Sequence, residues 1–81
     1  MRIEKIRDIV LQHARLPVDP SAVTPDADLY AAGLTSLTTV HLMLALEDAF
    51  EVEFPDRLLG RKTFESIRSI AEAITELAGD E

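Results

Sequence analysis

The 81-residue sequence has no cysteine, so neither a disulfide framework nor a thiolate metal site can stabilise the chain. Its two histidines, His13 and His41, do not form an HxxxH or HExxH motif, which argues against a zinc site. No apolar run approaches the roughly 18 residues of a membrane span, and charged residues begin at Arg2. We therefore expect a soluble, cytoplasmic protein with no metal and no membrane partner.

Basic residues are missing from the middle of the chain. Residues 16–56 contain no Lys or Arg, although the whole chain has eight of them and a net charge of −7. That stretch carries the acidic residues Asp19, Asp26, Asp28, Glu47, Asp48, Glu51, Glu53 and Asp56. Such a surface repels nucleic acid and attracts a basic protein partner. The alternative is that the acidity only keeps a small domain in solution.

The length predicts a single domain over residues 1–81 with one modest core. Isoleucine and valine recur at helical spacing from Ile3 to Val10, which predicts a first helix that ends before Pro17. Residues 16–35 contain three prolines and Gly33, which is typical of a long connection. We expect apolar residues to hold this loop in place: Val18, Val23, Leu29, Tyr30 and Leu34.

A second helix is predicted from about Ser36 to Glu51, with two apolar stripes. Leu42, Leu46 and Phe50 recur every four residues and should face the core. The adjoining stripe contains Leu37, Val40 and Leu44, with His41, Glu47 and Asp48 nearby. Because so small a domain can hardly bury both stripes, we interpret the second as a partner-docking surface. The alternative is that it widens the core face.

The last third of the sequence predicts one short and one longer helix. Residues 55–60 resemble a single turn that ends at Gly60, and Thr63 is placed to cap the last helix. Its apolar face consists of Phe64, Ile67, Ile70, Ala71, Ile74 and Leu77. The expected fold class is therefore all-α, with four helices, a long first loop and a short third helix.

Ser36 is the most informative residue, because it lies at the predicted start of the second helix. The positive end of a helix dipole and its unpaired N–H groups favour a phosphate attached there. The alternative is a plain cap by Thr35 or Ser36, although Thr38 and Thr39 follow Ser36 where a full capping box would have Glu or Gln, so the local sequence does little for capping alone. A hydrolase is disfavoured, since His41 lies roughly 140° around the helix and about 7.5 Å along it.

The segment D-L-Y-A-A-G-L-T-S-L-T-T-V over residues 28–40, continued by L-A-L-E-D-A-F over residues 44–50, resembles the acyl carrier proteins. The later E-F-P-D over residues 53–56 and the T-F-x-S-I over residues 63–67 extend this resemblance over most of the chain. It implies a right-handed bundle of four helices. It also implies a 4′-phosphopantetheine arm that a phosphopantetheinyl transferase attaches to Ser36.

The resemblance further implies a non-enzymatic carrier that holds an acyl group as a thioester and delivers it to partner enzymes. The family's recognition positions match Leu37, Val40, Leu44, Glu47 and Asp48, and His41 lies on the same face. The T-S-L motif resembles small stand-alone carriers, some of which are charged with an amino acid by a dedicated ligase. We therefore expect a monomer that serves an activating ligase and a downstream acyl-transfer enzyme. The rival hypothesis is a helical adaptor without a prosthetic group.

Overall fold

The computed structural model describes residues 2–14 and 16–79. Helix α1 spans Arg2–His13, α2 Ser36–Phe50, α3 Arg61–Phe64 and α4 Ile67–Ala78, with 3₁₀ turns at Pro20–Ala22 and Asp56–Leu58. No strand occurs within these residues, which confirms the all-α fold class with four helices. Helix α1 packs against both α2 and α4, and α3 packs against α4.

One apolar core joins the helices and the connections between them. Sixteen buried residues form it: Ile6, Ile9, Val10, Ala14, Val23, Leu29, Leu34, Leu42, Leu46, Phe54, Phe64, Ile67, Ile70, Ala71, Ala73 and Ile74. The predicted core positions Leu42 and Leu46 are fully buried, whereas Phe50 is only half-buried. The Lys5 ammonium lies 5.0 Å from the centre of the Phe50 ring, so Phe50 covers the edge of the core rather than its interior.

The loop between α1 and α2 is part of this core, as the sequence predicts. Val23, Leu29 and Leu34 are buried, and Tyr30 is half-buried. Val18 is the exception: its side chain is exposed, so this valine does not hold the loop in place. Burial of three apolar side chains gives a segment without long helices a fixed path over the bundle.

Two backbone hydrogen bonds fasten the same loop to the start of α4. The Leu29 N–H donates to the Glu65 carbonyl at 2.7 Å, and the Arg68 N–H donates to the Pro25 carbonyl at 2.9 Å. The Arg68 guanidinium also donates to both carboxylate oxygens of Asp26, at 2.6 and 3.3 Å. These contacts hold the segment that precedes α2 against the junction between α3 and α4.

Glycine is required three residues before Ser36. Gly33 adopts a φ of 122°, a conformation that L side chains rarely take. A Cβ atom at this position would lie 2.6 Å from the Pro17 Cδ atom. The close approach of Gly33 to Pro17 therefore brings the two ends of the loop together immediately before α2.

The boundary between α3 and α4 differs from the sequence prediction. Gly60 does not end the predicted turn; it precedes α3, and Thr63 lies within α3 rather than at the cap of α4. Ser66 is the cap of α4, since its hydroxyl accepts a hydrogen bond from the Ser69 N–H at 3.1 Å. Phe64 accordingly belongs to α3, where it is buried.

The contact between Asp26 and Arg68 predicts a dependence of stability on pH. The hydrogen bond from Arg68 lowers the pKa of the Asp26 carboxyl below its usual value. The folded state therefore favours the ionised carboxylate, and this stabilisation is complete above the unfolded pKa and is lost as the pH falls through the folded pKa. We expect Asp26→Asn to lower the melting temperature slightly at about pH 7 and by a smaller amount at about pH 2.5.

Thermal unfolding followed by circular dichroism at both pH values measures this effect. Asp8→Asn is the matched control, because Asp8 is exposed on α1 and makes no ion pair within the described residues. Equal losses for the Asp26 and Asp8 variants, or a loss for Asp26→Asn that is as large in acid as at about pH 7, would contradict the assignment.

Candidate functional site

Ser36 is the first residue of α2, and Thr35 immediately before it is the helix cap. The Thr38 N–H donates to the Thr35 hydroxyl at 3.2 Å, while the Thr35 N–H donates to the Thr38 hydroxyl at 2.9 Å. This reciprocal pair is a complete capping box. The prediction that this segment lacks a full capping box, because it has no Glu or Gln at the third position, is therefore wrong. Thr38 performs the same function with a hydroxyl.

Because Thr35 and Thr38 cap the helix, the Ser36 side chain is left without a structural role. It is exposed and makes no hydrogen bond within the part of the chain that the structure describes. Within that same part, the backbone N–H groups of Ser36 and Leu37 also donate to no carbonyl or side chain. The start of α2 thus presents an accessible hydroxyl beside free donors, an arrangement that suits an attached phosphate.

An open groove of about 350 Å³ adjoins Ser36. Tyr30 from the loop and Arg61 from α3 lie on its walls, and the Arg61 guanidinium carbon is 4.3 Å from the centre of the Tyr30 ring. The remaining lining residues are Thr39, Val40 and Leu59. Sequence reasoning did not find this groove, because its walls come from three separated segments whose meeting no local pattern encodes.

The structure gives Ser36 no catalytic partner among the described residues. His41 is exposed on α2 and makes no hydrogen bond with Ser36 there. The described residues include no group of three His, Asp or Glu side chains that could hold a metal ion. Asp28 accepts hydrogen bonds from the N–H groups of Tyr30 and Ala31, which order the loop before α2.

The second apolar stripe of α2 lies on the surface. The exposed fractions of Leu37, Val40 and Leu44 are 68, 48 and 55 %, so this stripe does not widen the core. We call these three residues the docking face, since burial of such side chains against a partner is favourable. Their role in binding remains a prediction.

Three polar residues were predicted to border the docking face. His41 and Asp48 are exposed, in agreement with a rim position. Glu47 is half-buried, and its carboxylate accepts a hydrogen bond from the Phe54 N–H at 2.8 Å. Glu47 therefore also has a structural role that the sequence did not reveal.

No helix within the described residues is long and apolar enough to cross a membrane.

A comparison with protein families matches residues 4–74 to the family described as "Phosphopantetheine attachment site". Among curated proteins, the aminoacyl carrier protein of Agrobacterium fabrum is 48% identical over 69 residues. That match covers 85% of this chain and 83% of the relative. The matched range contains Ser36 and the docking face.

Solved structures show the same likeness. One chain comes from a crystal structure of an engineered Bradyrhizobium japonicum glycine:[carrier protein] ligase complexed with carrier protein from Agrobacterium tumefaciens and ATP. It is 43% identical with a TM-score of 0.88, over 94% of this chain and 99% of that one. The corresponding complex with AMP gives 45% identity and a TM-score of 0.84, over 90% of this chain and 97% of that one. The similarity therefore extends to the arrangement of the helices.

Proposed function

The chain belongs to the phosphopantetheine-attachment family of carrier proteins, and from this premise we propose that Ser36 bears the arm and that an aminoacyl group is the cargo. The prosthetic group of the family is 4′-phosphopantetheine. When attached, it supplies a terminal thiol that holds an activated acyl or aminoacyl group as a thioester. The observation that carries the assignment is the exposed Ser36 hydroxyl at a helix start that Thr35 and Thr38 already cap.

The residues around Ser36 are suited to hold the phosphate group of an arm attached there. The free N–H groups of Ser36 and Leu37 are available to a phosphate oxygen, and the groove leaves space beside them. In this arrangement Thr35 and Thr38 fix the start of α2, so the attachment point projects from a rigid element rather than a mobile loop.

Mapping the modified residue tests the attachment site. The purified chain is incubated with coenzyme A and a broad-specificity phosphopantetheinyl transferase, and its intact mass and proteolytic fragments are then measured. We expect one phosphopantetheine increment per chain, carried by the fragment that contains Ser36. An increment on a fragment with Ser21, Ser66 or Ser69 would contradict the assignment. No increment, with an active transferase and a folded chain, would favour the adaptor hypothesis.

An aminoacyl cargo is supported by the relatives. A curated protein 48% identical is an aminoacyl carrier protein, and a structural neighbour is a carrier in complex with a glycine:[carrier protein] ligase. We therefore propose a ligase of this type as the partner that charges the arm, with glycine as the first amino acid to test. Incubation of the chain that carries the phosphopantetheine arm with ATP, glycine and such a ligase should increase its mass by one glycyl group. Charging only by an acyl-activating ligase would contradict the aminoacyl proposal.

We also propose that the chain has no catalysis of its own, and that a transferase, a ligase and a downstream acyl-transfer enzyme supply the chemistry. The open groove beside Ser36 supports this proposal, because an enzyme site needs a base that the described residues do not place there. A single domain over residues 1–81, a monomeric state, a cytoplasmic location and the absence of nucleic-acid binding stay predictions of the sequence.

The docking face predicts a specific loss of partner affinity. Leu44→Ala removes an apolar side chain at the centre of α2, and we expect the ligase to bind about 10–30 times more weakly. The stability of the free chain should hardly change, since Leu44 is 55% exposed. Titration calorimetry or the concentration dependence of charging measures the affinity. Val18→Ala, at an exposed apolar residue outside the docking face, is the control and should bind as the wild type does.

A further inference from the structure

The groove beside Ser36 is lined by a positively charged side chain that is not part of the core. Arg61 is exposed on α3, and its guanidinium lies over the Tyr30 ring at 4.3 Å. Stacking on an aromatic face restricts the orientation of an arginine and leaves its N–H groups free along the edges of the plane. Arg61 is therefore positioned at the groove without being neutralised there.

Other arginines of the second half of the chain are paired with carboxylates. Arg57 contacts Glu76 at 3.0 Å, and Arg68 contacts Asp26 at 2.6 Å. Arg61 makes no ion pair with any residue that the structure describes. Because residues 16–56 contain no Lys or Arg, α3 brings a basic side chain to a groove whose other walls contribute none. An unpaired guanidinium in such surroundings is suited to an anion.

We propose that Arg61, held over Tyr30, binds the phosphodiester of the arm attached to Ser36. The inference rests on the proposed attachment at Ser36 and assigns the arm's anionic group a partner within this chain. A guanidinium can donate two parallel hydrogen bonds to phosphate oxygens, which lysine cannot reproduce. Leu59 and Val40 line the same groove, so the uncharged part of the arm meets an apolar wall. Arg61 is thus a positioning residue for the arm.

The test compares the chain before and after attachment of the arm, with two readouts that do not involve cargo. The first is the NMR shift of the Arg61 Nε–Hε group and of the Tyr30 ring in the wild type. The second is the change in melting temperature that attachment produces. We expect both Arg61 and Tyr30 to shift, and attachment to raise the melting temperature by about 2–4 °C at low salt. About 0.5 M salt should reduce this gain.

Three variants separate a specific contact from a general charge effect. Arg61→Gln should lose the gain in melting temperature, and Arg61→Lys should recover only part of it. Lys62→Gln is the matched control, because Lys62 is the next residue of α3 and lines a different depression together with Glu72 and Glu76. It removes the same charge and should keep the gain.

The outcomes distinguish the two proposals. If the wild type accepts the arm on Ser36 while Arg61 and Tyr30 do not shift, the contact is overturned and the attachment site stands. Equal losses for Arg61→Gln and Lys62→Gln would also overturn it in favour of net charge. If Ser36 accepts no arm, both proposals fail. The wild-type NMR measurement needs no variant, so a folding defect of Arg61→Gln would not obscure the result.

Discussion

Replacing Ser36 by alanine is expected to abolish attachment of the phosphopantetheine arm and, with it, all charging by a ligase. The loss should be complete, because no neighbouring hydroxyl occupies the same position: those of Thr35 and Thr38 are engaged in the capping box. Folding should be unaffected. The Ser36 hydroxyl makes no hydrogen bond within the described residues, so we expect the free energy of unfolding to change by no more than about 0.5 kcal/mol.

Intact mass after transferase treatment measures attachment, and urea unfolding measures stability. Ser21→Ala is the matched control, since Ser21 is also exposed but lies in the first 3₁₀ turn, where Asp19 binds its hydroxyl. That variant should be modified as fully as the wild type. Residual modification of Ser36→Ala, or a large loss of stability, would show that Ser36 has a different role from the one proposed.

The second large effect is expected in the core. Phe64 is buried, and its ring centre lies 5.4 Å from that of Phe54. Phe64→Ala would leave a cavity between α3 and α4 and cost about 3–5 kcal/mol. Because a domain of this size has a total stability of about 5–15 kcal/mol, much of the population could unfold under mild denaturant. The midpoint of urea unfolding is the measurement.

Two further variants give the Phe64 prediction its controls. Phe64→Leu keeps most of the volume and should cost less than half as much as the alanine variant. Leu37→Ala, on the docking face, should change stability by no more than about 0.5 kcal/mol, because Leu37 is 68% exposed. A loss below about 1 kcal/mol for Phe64→Ala would mean that α3 does not pack as described.

Local patterns sufficed to predict α1 and α2 because each has a clear apolar period and a boundary marked by prolines or a cap. The apolar spacing of α1 and the position of Ser36 at the start of α2 were both confirmed. The exposure of Leu44 was also accessible from the sequence, since two stripes on one helix exceed what a small core can cover. The roles of the docking face and of Ser36 themselves stay predictions.

The sequence pattern did not predict where α4 begins, because a hydrogen bond with a residue far away in the sequence determines it. In a helix that continued through residues 63–67, the Glu65 carbonyl would accept a hydrogen bond from an N–H group of the same helix. In the structure this carbonyl accepts a hydrogen bond from the Leu29 N–H instead. The Ser69 N–H bonds instead to the Ser66 hydroxyl, and the helix begins there. Likewise, Arg61 meets Tyr30 only after the chain has folded. Neither contact follows from residue spacing.

Glu47 ties the docking face to the packing below it. Its carboxylate holds the N–H of Phe54, whose ring packs against Phe64, yet Glu47 is also a predicted recognition residue. A partner whose donors displace that N–H from the Glu47 carboxylate spends binding energy on loosening the segment after α2. By thermodynamic linkage, any change that loosens this segment beforehand makes such a partner bind more tightly. If Glu47 contacts partners as predicted, this one side chain links the affinity for a partner to the rigidity of the segment after α2.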